Sequence, residues 1–282
     1  MARKSKSIGF VDHKIDNWHT NTFLHIIRNQ CRRRGYTVAG CTATQKRPGR
    51  TWAEKNNVPW FDSVADMNDH VDCYLVLAPD DPRTHLDLCK AVFPFAKTTY
   101  VDKTFAPDVA TAKRIFALAD KHRVKMQTTS ALRHTAVQQY VHEVGRANLR
   151  HIVAWGGGRS FDVYAIHPVE MIVSCMGPKA VSLMRRGGGK QSQLLINYTR
   201  GRTAVANVYC GDASGFHAAV TTNTQTRHIK VDVGQLFVDM TNALLDFFDT
   251  GRVSIDRAES LMVRRILDVA RNPRALKGFV KL

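Results

Sequence analysis

Two residues of the chain, Lys103 and His167, have the side chains and the sequence positions that proton transfer requires. Lys103 follows a short β-prone run, Thr98 to Val101, and a lysine that lies in a partly buried cleft can have a lowered pKa. His167 precedes Pro168 at the start of an apolar helical segment, where the positive helix end disfavours the imidazolium. A neutral imidazole accepts a proton, so both residues are candidates for general acid–base chemistry. A surface lysine and a helix-capping histidine are the simpler alternatives.

The segment around Lys103 alternates between strands and helices. A buried run from Tyr74 to Leu77 stops at Pro79, and a helix follows over Arg83 to Phe93. A second helix, Asp108 to His122, comes after Lys103. This alternation predicts a parallel sheet, and ligands of such sheets bind beyond the carboxyl ends of the strands. Lys103 is therefore predicted to lie at the ligand-binding edge.

The same alternation begins near the N-terminus. Ser7 to Val11 is predicted as a strand, Asn21 to Arg34 as a helix, and Tyr36 to Cys41 as the second strand. The run from Lys125 to Thr128 completes the sheet. Together these elements predict a Rossmann-type parallel-sheet domain over residues 1–130, within an overall α/β fold.

The pattern changes in the second half of the chain. A helix from Thr135 to Asn148 precedes several β runs, and short turns such as Thr199 to Arg202 join them. Adjacent strands with short turns indicate antiparallel hairpins. Two helices, Gly234 to Thr250 and Ile255 to Arg271, come near the end. We predict an α+β domain with a mostly antiparallel sheet over residues 131–282.

The order of several motifs resembles the Gfo/Idh/MocA oxidoreductases. The matching positions, in chain order, are Pro79, His85, Asp102-Lys103, Arg133, Tyr164 to Glu170 (YAIHPVE) and Leu244 to Leu282. The lysine of that family belongs to a Glu-Lys-Pro motif, which reads Asp102-Lys103-Thr104 here. Each motif alone is degenerate, and their joint order over nearly the whole chain carries the resemblance.

The resemblance implies an oxidoreductase that uses NAD or NADP on a sugar-like or polyol substrate. By that resemblance, Lys103 would lie beside the nicotinamide and the substrate, and His167 would be the catalytic histidine. Tyr164 would supply a further catalytic hydroxyl, and Arg133 and Asp162 would contact the substrate together with His167. Asp162 is one residue out of register with the aspartate of the family. The resemblance also implies a homo-oligomer.

The first loop of the predicted cofactor site departs from the family pattern. The fingerprint G-x-G-x-x-G is absent, because Gly9 is followed by FVDHKIDNWH. Bulky side chains would crowd a pyrophosphate in its usual pose, and Asp12 and Asp16 would repel it. The start of the next helix, with Lys14 and His19, still offers hydrogen-bond donors. Either the dinucleotide binds to an altered loop or it does not bind.

The end of the second strand lacks the acidic residue that holds the adenosine ribose of NAD. Residues 41–44 read CTAT, and Lys46, Arg47 and Arg50 follow. A hydroxyl with basic residues suits a 2′-phosphate, so we predict NADP in preference to NAD; an exposed basic loop explains the pattern equally well. The residues predicted to line the cofactor are Gly9, Asp12, His13, Thr42, Arg47, Pro79, Asp102 and Lys103.

The composition is that of a globular protein, and 282 residues suffice for two domains. No apolar run approaches the length of a membrane span, and no apolar segment follows the basic N-terminal residues as in a signal peptide. The six cysteines are scattered, and the histidines lack the spacing of metal ligands. We therefore predict a cytoplasmic protein without a membrane segment or a metal site.

The formal net charge of +17 raises the question of nucleic-acid binding. The basic residues are spread through the chain, as at 32–34, 185–186 and 264–265, and they form no recognisable nucleic-acid module. A solvated basic surface, helped by an anionic cofactor and substrate, is the favoured explanation, and nucleic acid is not expected as a partner.

The sequence leaves two functions open. The favoured one is an NAD(P)-dependent oxidoreductase that acts on a small sugar-like or polyol substrate. The alternative is a non-catalytic binding or regulatory relative that kept the fold and lost the cofactor loop. The missing glycines are the support for this alternative.

Overall fold

The computed structural model describes residues 6–211 and 214–282, and the chain forms two compact units. The first unit contains the residues up to Thr129 together with Phe237–Ile255, and the second contains Ser130–Leu236 and Asp256–Leu282. The chain first passes from one unit to the other between Thr129 and Ser130, next to the boundary predicted near residue 130. The return of residues 237–255 to the first unit was not predicted from the sequence. The domain limits 1–130 and 131–282 remain a prediction.

The first ten elements alternate between strand and helix, except that α2 and α3 follow one another. They are β1 (Lys6–Asp12), α1 (Trp18–Arg28), β2 (Tyr36–Ala43), α2 (Lys46–Lys55), α3 (Val64–Asn68), β3 (Cys73–Val76), α4 (His85–Val92), β4 (Thr98–Val101), α5 (Val109–Lys121) and β5 (Met126–Thr128). The remaining elements are α6 (Ala136–Val144), β6 (Leu149–Gly158), α7 (Phe161–Tyr164), α8 (Ile166–Met176), β7 (Ala180–Gly188), β8 (Gln191–Tyr198), β9 (Thr203–Cys210), β10 (His217–Thr222), β11 (Thr226–Lys230), α9 (Leu236–Thr250), α10 (Arg257–Arg271) and β12 (Val280–Lys281).

The first sheet is parallel throughout, with the strand order β2-β1-β3-β4-β5. Strand β3 is buried at every residue because helices cover both faces of such a sheet. Helix α5 buries Ala112, Ile115, Phe116 and Ala119, which recur at the three-and-four spacing of a helix face. The predicted Rossmann-type architecture is confirmed.

The boundaries of two predicted elements in this unit were wrong. The first helix starts at Trp18 and ends at Arg28, whereas the sequence predicted Asn21 to Arg34. The side chain of Asn17 caps the helix by accepting a hydrogen bond from the Thr20 N–H at 3.0 Å, and this local contact sets the earlier start. Strand β2 continues to Ala43, because its pairing with β1 extends to Asp12.

Helix α9 contacts the first unit through Asp249, which explains why this late segment belongs there. The Asp249 carboxylate lies 3.1 Å from Lys6 Nζ and 2.9 Å from Arg34 Nη2. It also accepts a hydrogen bond from the Tyr36 hydroxyl at 2.9 Å. Burial raises the pKa of Asp249, but the hydrogen bonds from Arg34, Lys6 and Tyr36 outweigh burial and lower the pKa to about 2.

The substitution Asp249→Asn is expected to lower the free energy of unfolding by roughly 1–2 kcal/mol near neutral pH, because the charge-assisted contacts are lost. The folded-state pKa is below the ordinary value of 3.8. The stabilisation is therefore fully present above about pH 5 and is lost as the pH falls toward about 2. Urea unfolding of both proteins across this range measures the difference. A difference that stayed constant down to about pH 2 would contradict the ionic origin.

The second sheet has the strand order β11-β10-β6-β9-β8-β7-β12. Its pairs are antiparallel except for β6 with β9, which is parallel. Helix α8 packs on β6 and β9 and buries every residue except His167. The predicted α+β arrangement with a mostly antiparallel sheet is confirmed. In the part of the chain that the structure describes, no helix has the length and apolarity needed to cross a bilayer.

Candidate active site

Asp12 organises the loop that links β1 to α1, where related folds have glycines. The side chain is fully buried. Its Oδ1 accepts a hydrogen bond from the Lys14 N–H at 3.0 Å, and its Oδ2 accepts from Asn17 Nδ2 at 2.9 Å and from Thr20 Oγ1 at 3.1 Å. Burial raises the pKa of Asp12 to about 6. The carboxylate is therefore occupied by its own loop, and the expected repulsion of a pyrophosphate by Asp12 is weakened.

Gly9 lies inside β1, and the structure gives it a packing role. A Cβ at this position would lie 3.1 Å from Met67 Cε and 3.1 Å from the Tyr74 ring. The residue must be small because α3 and β3 approach the strand closely. The predicted contact of Gly9 with the cofactor has no geometric support in this arrangement.

The end of β2 brings basic residues next to the first loop. The Gln45 N–H donates to the His13 carbonyl oxygen at 3.0 Å, and the Gln45 Nε2 lies 3.3 Å from His13 Nε2. Helix α2 begins at the next residue, with Lys46 and Arg47 exposed in its first turn. Thr42 is buried within β2, with 6% of its surface exposed. The exposed Arg47 can thus reach a ligand at this edge more readily than Thr42.

Asp102 and Lys103 follow β4 and are both buried, at 0% and 7% exposure. The Asp102 Oδ1 accepts hydrogen bonds from the Lys103 N–H at 2.8 Å and from the Tyr100 hydroxyl at 3.0 Å. Its Oδ2 lies 2.6 Å from His19 Nδ1.

The pKa of Asp102 reflects two opposing effects. Burial raises the pKa, but the charge and hydrogen bond of His19, with the charge and backbone hydrogen bond of Lys103, lower it below its usual value. Asp102 is therefore an anion in the folded protein. A buried anion beside Lys103 gives this strand end the charge distribution of a functional site.

His85 fixes the chain segment that surrounds Lys103. The ring is completely buried, its Nδ1 lies 3.0 Å from the Phe105 carbonyl oxygen, and its Nε2 contacts the Leu77 carbonyl oxygen. Burial lowers the pKa of His85, which keeps the ring neutral. Pro79 is also buried, two residues after Leu77. His85 therefore joins the end of β3 to the segment after Lys103.

In the second unit, His167 and Tyr164 lie together. The ring centroids are 5.5 Å apart in an edge-to-face arrangement, and Phe216 lies 5.5 Å from His167 on another side. The His167 Nδ1 lies 3.1 Å from Ser130 Oγ. His167 is the second residue of α8, whose start has no side-chain cap. The predicted placement of the imidazole at a helix N-terminus matches this arrangement.

Arg133 lies in a buried ion-pair cluster of the second unit. Its Nε donates to Glu170 Oε1 at 2.7 Å, and its Nη1 donates to Glu259 Oε2 at 2.5 Å. Arg146 contacts Glu259 at 3.0 Å. Arg133 Nη2 is buried without a hydrogen-bond partner among the described residues. These contacts give Arg133 a structural role, and its contact with substrate stays a prediction.

Asp162 lies on the surface of the second unit, in α7. Its Oδ1 accepts from Arg271 Nε at 2.7 Å, and 67% of its side chain is exposed. The exposed ion pair gives no sign of a substrate site, so the predicted role of Asp162 has no further support.

Two residues of the site were not identified as site residues from the amino-acid sequence. His19 was noted only as a donor near the first loop, and its pairing with Asp102 was not predicted. Ser130 was not considered, although it directly precedes the predicted Arg133 region and contacts His167. A polar residue just past a parallel strand was the signal available for Ser130.

Residues 21–130 match the family model named GFO_IDH_MocA, which is described as an oxidoreductase family with an NAD-binding Rossmann fold. This part of the chain is similar to the Gfo/Idh/MocA oxidoreductases. The match confirms the resemblance predicted from the order of the motifs. It also confirms the predicted enzyme class and a nicotinamide dinucleotide as the cofactor. No curated protein matches the chain in sequence.

Solved structures of dehydrogenases share the fold over nearly the whole chain. The apo scyllo-inositol dehydrogenase from Lactobacillus casei has a TM-score of 0.82 at 12% identity, and the match covers 100% of this chain and 99% of that one. UDP-N-acetylglucosamine 3-dehydrogenase GnnA from Acidithiobacillus ferrooxidans has a TM-score of 0.80 at 12% identity, with 95% and 97% covered. At this identity the likeness shows the shared fold.

The residues at the strand ends fit the dinucleotide of the Gfo/Idh/MocA family by charge, and they lack a glycine cradle. Lys14, Lys46 and Arg47 are exposed around the first loop and the start of α2. The carboxylates of Asp12 and Asp102 are in contact with backbone and side-chain groups of the protein. Such an arrangement suits an anionic ligand at the edge where Rossmann folds bind nucleotides.

Proposed function

We propose that the protein is an NAD(P)-dependent oxidoreductase that acts on a sugar-like or polyol substrate. The observation that carries the proposal is the buried Asp102-Lys103 pair at the carboxyl end of β4, in a chain segment that matches an NAD-binding oxidoreductase family. One neighbouring structure is described as scyllo-inositol dehydrogenase with bound NAD(H) and scyllo-inositol, and this supports the substrate class.

In this proposal, the protein side chains hold the substrate and move a proton. The bound nicotinamide supplies the hydride acceptor or donor. Lys103 holds the reacting hydroxyl by donating a hydrogen bond from its ammonium group. In the second unit, His167 is a candidate proton acceptor, and Ser130 fixes its imidazole through Nδ1. Tyr164 packs against the ring and supplies a further hydroxyl.

The exposed start of α2 supports NADP as the preferred cofactor. No acidic side chain ends β2, and Arg47 lies in the first helical turn, where the helix dipole also favours a phosphate. Lys14, Lys46 and Arg47 are the residues proposed to hold the phosphates.

NADPH is expected to bind more tightly than NADH in calorimetric titrations, and Arg47→Ala is expected to weaken NADPH binding about tenfold with little effect on NADH. The reason is that the guanidinium would contact the 2′-phosphate, which NADH lacks. Lys55→Ala, at the other end of the same helix, is the matched control and should leave both affinities unchanged. Failure of both nucleotides to bind at millimolar concentration would contradict the proposed oxidoreductase.

The second candidate is a non-catalytic binding or regulatory protein, and the absence of glycines in the first loop favours it. The two candidates differ in the same titrations, because the non-catalytic protein would bind neither nucleotide.

We also propose that the protein forms a homo-oligomer through the outer face of the second sheet. Strand pairing aligns apolar side chains across five strands: Met184, Leu195, Val205 and Val153 are half-exposed, and Ala219 is buried. A polar row flanks them, namely Ser182, Asn197, Thr203, His151 and Thr221. An apolar row of this kind is suited to contact with a second copy of the chain. The molecular mass in solution, measured by light scattering, tests this proposal.

All six cysteines are free and buried, which supports the cytoplasm as the proposed location.

A further inference from the structure

His19 lies in a buried setting at the start of α1 and contacts a residue far away in the sequence. It is the second residue of the helix, and 8% of its surface is exposed. Its Nδ1 lies 2.6 Å from the Asp102 Oδ2. The rings of Trp18 and Phe237 flank it, with centroids 5.5 and 5.3 Å away. The imidazole is therefore held in one orientation by aromatic neighbours and a carboxylate.

The first turn of α1 is attached to two strand ends at once. His19 contacts Asp102 after β4, and the adjacent Thr20 donates to Asp12 at the end of β1. Asn17 already caps the helix by accepting from the Thr20 N–H. Because the cap is supplied by Asn17, helix formation does not require a histidine at position 19.

Asp102 transmits the contact with His19 to Lys103. One carboxylate oxygen faces His19, and the other accepts the Lys103 backbone N–H at 2.8 Å. The Tyr100 hydroxyl lies 3.0 Å from the same Oδ1 and so fixes this oxygen as well. The conformation of the Lys103 main chain therefore depends on a carboxylate whose second oxygen is held by His19.

The titratable groups near Lys103 include Asp102 and His85. Asp102 is held as an anion by His19 and Lys103 together, although its burial opposes this. His85 also faces Lys103, and burial keeps that ring neutral by lowering its pKa. His19 Nδ1 and the Lys103 backbone N–H thus contact the two oxygens of one carboxylate, so the loss of the His19 contact changes the electrostatic environment of Lys103.

We propose that His19 is a positioning residue for Lys103 and acts through Asp102. The proposal deepens the proposed function, because Lys103 is the residue expected to hold the substrate hydroxyl. It assigns to the helix after the first loop the role of positioning Lys103, which the glycine fingerprint does not have. The loop lacks the glycine fingerprint, and the helix that follows it contacts the strand end that carries the lysine.

Competitive labelling of lysine amines with acetic anhydride across a pH series, read by peptide mass spectrometry, tests this without cofactor or substrate. In His19→Ala, Asp102 is no longer shared, so Lys103 keeps its proton more strongly. The labelling midpoint of Lys103 is expected to rise by about one pH unit. His19→Asn places an amide donor near the Nδ1 position and is expected to recover at least half of the shift.

Two further variants separate positioning from packing. His25→Ala removes an exposed histidine from the last turn of the same helix and should leave the midpoint unchanged. In an Asp102→Asn background, His19→Ala should produce no further shift, because the effect of His19 passes through the carboxylate. A shift of equal size in that background would overturn the proposal and indicate a packing effect.

An unchanged Lys103 midpoint in both folded His19 variants would also overturn the proposal. If His19→Ala does not fold, the His19→Asn and Asp102→Asn proteins still give the comparison. The nucleotide titrations are independent of this result. A shifted midpoint with no nucleotide binding would keep the positioning role and reject the oxidoreductase, and the reverse result would reject the positioning role alone.

Discussion

Replacement of Lys103 by alanine is expected to lower kcat about 10²–10⁴-fold while NADPH affinity changes little, since the ammonium acts on the substrate hydroxyl and not on the dinucleotide phosphates. Steady-state kinetics with a panel of inositols and sugars, together with calorimetric titration of NADPH, measures both quantities. Lys121→Ala removes an exposed lysine from the end of α5 and is the matched control.

His167→Ala is expected to reduce kcat over the same range, because the proton acceptor is removed. The variant His167→Gln keeps a polar side chain near Ser130 and separates loss of the base from loss of packing. If both Lys103→Ala and His167→Ala turn over substrate at nearly the wild-type rate, the two residues are structural and the proposed mechanism is wrong.

Arg133→Ala is expected to lower the free energy of unfolding by about 3–5 kcal/mol, because two buried carboxylates lose their shared cation. Glu170 and Glu259 are each 5% exposed, and Arg133 contacts both through different nitrogens. Urea unfolding measures the change. Arg133→Lys retains the charge but cannot reproduce the fork geometry, so it is expected to recover part of the loss.

The control for this prediction is Arg271→Ala, which breaks the exposed pair with Asp162 and should cost less than about 1 kcal/mol. An Arg133→Ala protein as stable as the wild type would exclude the structural role. Substrate kinetics of the folded Arg133→Lys protein then tests the predicted contact with substrate: an increase in KM measured on the folded protein would support that contact.

The local order of elements in the first unit could be predicted from the sequence. Strands such as β3 are short, wholly apolar runs, and α5 repeats its apolar residues at helical spacing. These patterns act over a few residues, and the alternation of strand and helix restricts the sheet to a parallel one. The position of Lys103 past a strand follows from the same local signals.

The second unit shows where such local signals stop. The strands and their antiparallel turns were predicted, but the parallel pairing of β6 with β9 was not. Pairing of strands that are distant in the chain depends on packing of the complete sheet against helices such as α8. The return of α9 to the first unit depends in the same way on contacts of Asp249 with Lys6, Arg34 and Tyr36.

The candidate site divides in a similar way. The sequence by itself determined the strand that places Lys103, the helix that begins beside His167, and the absence of a glycine fingerprint. The tertiary structure decided that Asp12 is occupied by its own loop, that Gly9 is a packing residue, and that Arg133 joins Glu170 and Glu259. It also decided the pairing of His19 with Asp102. The physical reason is that the charge, burial and partners of a side chain depend on residues that folding brings together from distant parts of the chain. The patterns of strands and helices, in contrast, depend on residues that are close in the sequence.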